Sequence, residues 1–137
     1  MADDLSLEID RRTIEKIIAQ LGVETFMQAT LRGMQRGVNR IWERIPQYPD
    51  PPSGSTYRRT GNLGRANYAK AQVENEEVVG RVGNNMRYAP NVIGGDDTQS
   101  RTHQGRWYQL PQRVEDGLPD VVSAIEEEWK SAMNGNS

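Results

Sequence analysis

Apolar residues return every three or four positions through the first third of the chain. Ile14, Ile17, Ile18 and Leu21 follow i, i+3, i+4, i+7 spacing, which predicts a short amphipathic helix over residues 11–21. Gly22 stops it. Ahead of it Leu5, Leu7 and Ile9 alternate with Ser6, Glu8 and Asp10, the pattern of a strand leading in over residues 5–10. Val23, Phe26, Met27, Thr30, Leu31, Met34, Val38, Ile41, Trp42 and Ile45 then form one stripe, and Pro46 ends it. Such a helix, of about 23 residues at about 1.5 Å each, spans roughly 34 Å.

The pattern breaks over residues 46–59, "PQYPDPPSGSTYRR", which hold four of the seven prolines. Proline keeps such a loop extended and lowers the entropy lost when it docks. Strand patterns follow over residues 65–74 and 76–83, with Glu74, Asn75 and Glu76 as the hairpin turn. Residues 88–94, "YAPNVIG", read as a third strand that Pro90 places at a sheet edge. Residues 94–105 are polar and glycine-bounded, a loop, and residues 106–110 are a short apolar element. A last helix is predicted to begin near Pro119, with Leu118, Val121, Val122, Ile125, Trp129 and Met133 as its buried stripe. The expected fold is a single α+β domain over residues 1–137. It has N-terminal helices including one long one, a small antiparallel sheet and a C-terminal helix, with an extended loop at 46–59.

Composition narrows the function classes. Net charge is -2, so whole-protein attraction to nucleic acid or to an anionic membrane is not expected. There are no cysteines for a disulfide framework or a thiolate metal site. The acidic start "MADDLSLEID" lacks the apolar stretch of a secretory signal, and no run reaches membrane-spanning length, so a soluble protein made in a cytoplasm is expected. Leu, Ile, Val and Phe make up only 26 of 137 residues. That thin core fits either a modest self-sufficient domain or one that gains stability by burying surface against partners.

Arg32, Arg36, Arg40 and Arg44 recur every fourth residue, roughly opposite the Met27, Leu31, Met34 and Val38 stripe. Three readings stand: a solvated face, a basic ridge for DNA or an acidic partner, or pairing with Glu126, Glu127 and Glu128 of the last helix, in the same or a neighbouring subunit. Ala29, Gly33 and Gly37 form a track of small residues beside the ridge. Each helical glycine costs about 1 kcal/mol relative to alanine, so close approach by another element is expected there, within or between subunits.

Chemistry is sparse. Gly61 and Gly64 in "TYRRTGNLGRAN" spell G-x-x-G, but no Lys-Ser/Thr follows as in a phosphate-binding loop. A turn fits better: Thr60 can cap, Gly61 bends the chain and Leu63 tucks under. His103 is the one histidine. With Asp96 and Asp97 it lacks the further ligands of a metal site. No serine has the histidine and glycine elbow of a nucleophile site. No enzyme, cofactor or metal is expected. Trp107 and Tyr108 beside Arg106 suit a core as well as an interface.

The order of motifs says more. Helices run into a proline; then come "YRRTGNLGRAN", a strand pair, "VGNNMRYAPNVIGG", a polar loop with His103, and "GRWYQLPQRV" before the last helix. Thr60-Gly61-x-Leu63, with Tyr88-Ala89, Val92 and Gly94 further on, resembles the small tail-completion (neck, head–tail joining) proteins of long-tailed bacteriophages and prophages. Tyr57, Arg59, Asn84, His103 and Trp107 fit the subset with a longer middle. The resemblance covers roughly residues 10–130 and rests on order and spacing. Two departures are Val92-Ile93-Gly94-Gly95 where such proteins often carry Glu-Gly, and the proline-rich loop before Thr60.

The resemblance implies a structural virion protein with no catalytic site. Subunits would form a six-fold homo-oligomeric ring between an adjacent connector or head-completion protein and a tail terminator or tail tube protein, with DNA passing through the lumen and no membrane involved. The protein would be made in the host cytoplasm and end in the virion. Ala29, Arg32, Gly33, Arg36, Gly37, Arg40, Arg44, Glu126 and Glu127 become candidate interface residues, with Tyr48, Pro51, Pro52, Tyr57, Arg58 and Arg59 of the loop. Thr60, Gly61, Leu63, Tyr88 and Gly94 become structural turn residues. The rival is a small nucleic-acid-binding module using the arginine face. The low pI and only three lysines, Lys16, Lys70 and Lys130, count against it.

Overall fold

The structure, a computed structural model, describes residues 2–5, 11–45, 67–101, 103–104 and 107–135. The described elements run β1 (Ala2–Leu5), α1 (Arg11–Leu21), α2 (Val23–Glu43), β2 (Asn67–Glu74), β3 (Glu77–Asn84), α3 (Ala89–Ile93) and α4 (Leu110–Met133). The class is α+β, as the patterning predicts.

Two helices meet at Gly22, whose φ of 86° lies where side chains are strained. Its N–H closes α1 on the carbonyl of Ile18, and its own carbonyl accepts the first bond of α2 from Phe26. One residue thus ends one helix and starts the next. A strand precedes α1 at Ala2–Leu5; the predicted one spans residues 5–10. Of that stretch only Leu5 is among the described residues.

The sheet has the order β1-β3-β2 and is antiparallel throughout. Asn75 and Glu76 turn the hairpin with φ of 50° and 67°. Two left-handed residues match the twist of a two-residue hairpin; asparagine suits the first, while the second would favour glycine. α2 lies over the sheet where β3 is thinnest. A Cβ on Gly80 would stand 2.6 Å from Met34 Sδ and 2.9 Å from Val38 Cγ1. Val82, fully buried, continues that face.

Two expectations are corrected. Residues 88–94 are not an edge strand: Ala89–Ile93 form α3, with Pro90 in its first turn. A first-turn proline forfeits no helical bond and has its φ preset. Ala89, Val92 and Ile93, the buried positions, stand at i, i+3, i+4, which is helical rather than alternating spacing. The last helix does not begin near Pro119 but at Leu110, with Pro111 in its first turn and Pro119 inside it. Pro119 is exposed, so water can satisfy the carbonyl that its missing N–H leaves open. Leu110, Val114, Gly117, Val121, Ala124 and Ile125 are buried, and their helical period runs through the proline unbroken.

Candidate functional site

α2 carries three strips, one facing the sheet and two facing α4. The Met34 and Val38 strip meets the sheet. The small-residue strip meets α4, which runs antiparallel to α2. A Cβ on Gly33 would lie 2.5 Å from Ile125 Cα, and one on Gly37 2.7 Å from Val121 Cα. At the next rung the roles exchange, and Gly117 of α4 makes room for Ile41 of α2. Ala29 is fully buried. The sequence leaves the location of this packing open; it lies within the chain. Ala29, Gly33 and Gly37, named above as interface candidates, are buried, and the two glycines lie against α4 of the same chain.

The arginine strip flanks that seam. Gly33 and Gly37 recur with the same four-residue spacing, so the arginines keep one offset from the seam along the helix. Arg36 spans two acids, with Nη2 2.7 Å from Glu127 Oε2 and Nη1 2.9 Å from Glu128 Oε1. Arg32 Nε donates to Glu128 Oε2 at 3.3 Å, Arg40 stands 4.0 Å from Glu127, and Arg44 pairs with Asp120. Of the three readings of the ridge, the structure shows pairing with the last helix in the same chain. Glu126 is exposed on α4. Asp120 is a partner that sequence reasoning missed; its spacing of seven and eight residues from Glu127 and Glu128 is the signal that could have found it.

Hydrogen bonding from Arg36 holds the Glu127 carboxyl below the usual glutamate range, and the two glutamates, Glu127 first, raise the arginine. A lowered carboxyl contributes stability in full above its unfolded value and loses it as pH falls through the folded value. The thermal midpoint of the native chain should therefore fall toward that of Glu127→Gln as pH drops from 7 through the carboxylate range. A gap between the two that stays constant to pH 3 would contradict the pairing. Salt should narrow the gap too, since the pair is exposed.

The polar loop is organised by glutamines that sequence reading passed over. Gln99, buried, donates to Val92 O at 2.7 Å and to the carbonyls of Trp107 and Tyr108. Gln109 Nε2 reaches both Asp96 Oδ1 and Gln99 Oε1. Gln104 donates to the Gln99 carbonyl. Ser100 Oγ and His103 Nδ1 are 2.6 Å apart within one local turn, and His103 stands edge-on to Trp107. Among the described residues no three metal-ligating side chains gather. Trp107 and Tyr108 are half-buried against the core.

Tyr88 precedes α3 and is 43% exposed, while Gly94 ends it. A Cβ on Gly94 would collide with Thr98 Oγ1 and the Pro90 carbonyl, which accounts for a glycine in that place. Tyr48, Pro51, Pro52, Tyr57, Arg58, Arg59, Thr60, Gly61 and Leu63 lie outside the described residues. So does the loop 46–59 as a whole. Comparison of the chain with protein-family models, with curated proteins and with solved structures finds no match.

Proposed function

We propose that this chain is a structural protein of a phage neck. It forms a ring, six-fold by resemblance, that joins the DNA-filled head on the connector side to the tail tube. The observation that carries this reading is the ordered motif set, Thr60-Gly61-x-Leu63 followed by Tyr88-Ala89, Val92 and Gly94, set between N-terminal helices and a C-terminal helix. Support comes from what those residues do where they are described: Ala89 and Val92 are buried in the short helix, and Gly94 occupies a place with no room for a side chain.

A cyclic ring is built from heterologous contacts, so each subunit must offer two different faces. The seam between α2 and α4 is used inside the subunit and is not one of them. Among the described residues the exposed large apolar side chains are Val23, Trp42, Val73 and Tyr88. Val23 opens α2 and Trp42 lies in its last turn, so apolar contact surface is available at both ends of the long helix. The nucleic-acid alternative draws less support than the sequence gives it, because Glu127, Glu128 and Asp120 offset the arginine charges on the same face.

The test is genetic. With the gene deleted from the phage or prophage that carries it, the lysate is imaged by negative-stain electron microscopy. Filled heads beside separate, finished tails are the expected result. Intact infectious virions would overturn the reading.

A further inference from the structure

The outer edge of β2 is contacted by a side chain that imitates a strand. Among the described residues β2 is an edge strand, eight residues long, with neither proline nor bulge to blunt it. Alternate residues of a strand aim their N–H and C=O to opposite sides. Gln35 of α2 meets both kinds of group on one side: Ala71 N–H donates to its Oε1 at 2.8 Å, and its Nε2 donates to Ala69 O at 3.3 Å. These two main-chain groups are the pair that the N–H and C=O of one residue of an added parallel strand would take, and a carboxamide offers the same donor and acceptor in one plane. The second amide hydrogen goes to Asn39 Oδ1 at 2.9 Å, one helical turn on. That bond fixes which way the amide faces, since a reversed amide would set NH₂ against the Ala71 N–H.

We propose that Gln35 is an edge lock. It occupies the central main-chain groups of β2 that a strand from a second copy of this chain would need, so the sheet does not extend there. The need for a lock follows from the strand itself. In "NYAKAQVE" the charged side chains Lys70 and Glu74 lie opposite Arg81 and Glu77 in the ladder, on the face away from α2. The edge backbone between them has small neighbours in Ala69 and Ala71 and an exposed apolar one in Val73. Such an edge is a template for pairing with its own kind. The inference is independent of the neck reading, because it concerns a contact that assembly would avoid.

Three variants of the full chain test it. Gln35→Leu keeps helix propensity and bulk but bonds to neither group, and Gln35→Asn is one methylene short of both. In dilute solution the Ala71 amide should exchange with solvent about tenfold faster in each than in the native chain. Sedimentation velocity over a range of about 1–100 μM should show both self-associating at concentrations where the native chain does not, with Ala71 protected again in the associated form. Gln35→Glu keeps an acceptor for Ala71 and adds a charge at the edge, so it should associate no more than the native chain. Native-like association of the first two variants would overturn the lock. So would association that leaves Ala71 exchanging freely, or a glutamate variant that associates like the leucine one.

Discussion

Gly33→Ala and Gly37→Ala are expected to destabilise the chain, although each replaces the poorest ordinary helix former with the best. On an exposed helix the change would contribute about 1 kcal/mol of stability. Here the added methyl would stand 2.5 Å from Ile125 Cα and 2.9 Å from its nitrogen, or 2.7 Å from Val121 Cα. Those are main-chain atoms of α4, so no rotamer change makes room. The two helices must separate, and the close-packed contacts of Val121 and Ile125 loosen together. Overpacking of this kind costs about 1–3 kcal/mol, so each single change should come out up to about 2 kcal/mol less stable after the propensity gain. The double variant should cost less than the two singles combined, because one separation of the helices relieves both sites. Urea denaturation of the three variants decides it. A single alanine that stabilises the chain would mean the helices are further apart than described.

The second large effect belongs to Trp129. It is 4% exposed and stacks on Phe26 with ring centroids 5.5 Å apart and 24° between planes. Its indole N–H donates at 2.9 Å to Thr30 Oγ1, whose own hydroxyl donates at 2.7 Å to the Phe26 carbonyl. The hydroxyl is thus both acceptor and donor, and the ring has no unsatisfied polar atom. Trp129→Ala should cost about 3–5 kcal/mol, since it removes the stack and leaves a cavity. Against a typical total of about 5–15 kcal/mol, that is a large share of the stability. Trp129→Phe keeps a six-membered ring there but loses the bond and the packing of the five-membered ring, for roughly 1–3 kcal/mol. If thermal or urea melts place the two variants within error of each other, packing is not what the tryptophan supplies.

Much of this fold is legible from periodicity alone, and the failures have one physical theme. α1, α2 and the hairpin follow from apolar spacing plus the stops at Gly22 and Asn75-Glu76, because local conformation and burial agree there. Proline misled twice. Pro90 reads as an edge-strand residue and Pro119 as a helix start, yet each sits in a helix where its missing N–H does little harm. The cue lies in the buried positions on either side: Val114 and Gly117 precede Pro119 in phase with Val121 and Ile125. For the candidate site, the arginines and glycines of α2 announce close, charged packing, but a one-dimensional pattern does not say which surface they meet. Gln35, Gln99 and Gln109 had no signal at all. A glutamine that stands in for a neighbouring strand or gathers three carbonyls has the same letter as one in water.

The seam between α2 and α4 has a consequence for the order in which the chain can fold as it is made. Thr30 and Trp129, which meet across it, are 99 residues apart in sequence, and Arg32 and Glu128 are 96 apart. Among the described residues β1 pairs with β3, which is made far later. The first helix pair and the hairpin can form early, since their contacts are local. The glycines of α2 must wait for their α4 partners until synthesis has passed Val121 and Ile125. Contacts of such long separation close late and slowly. Through most of synthesis, then, the long helix presents its smallest and flattest side to whatever else is in the cell. Completion of that pairing is the step that covers the glycine face of α2.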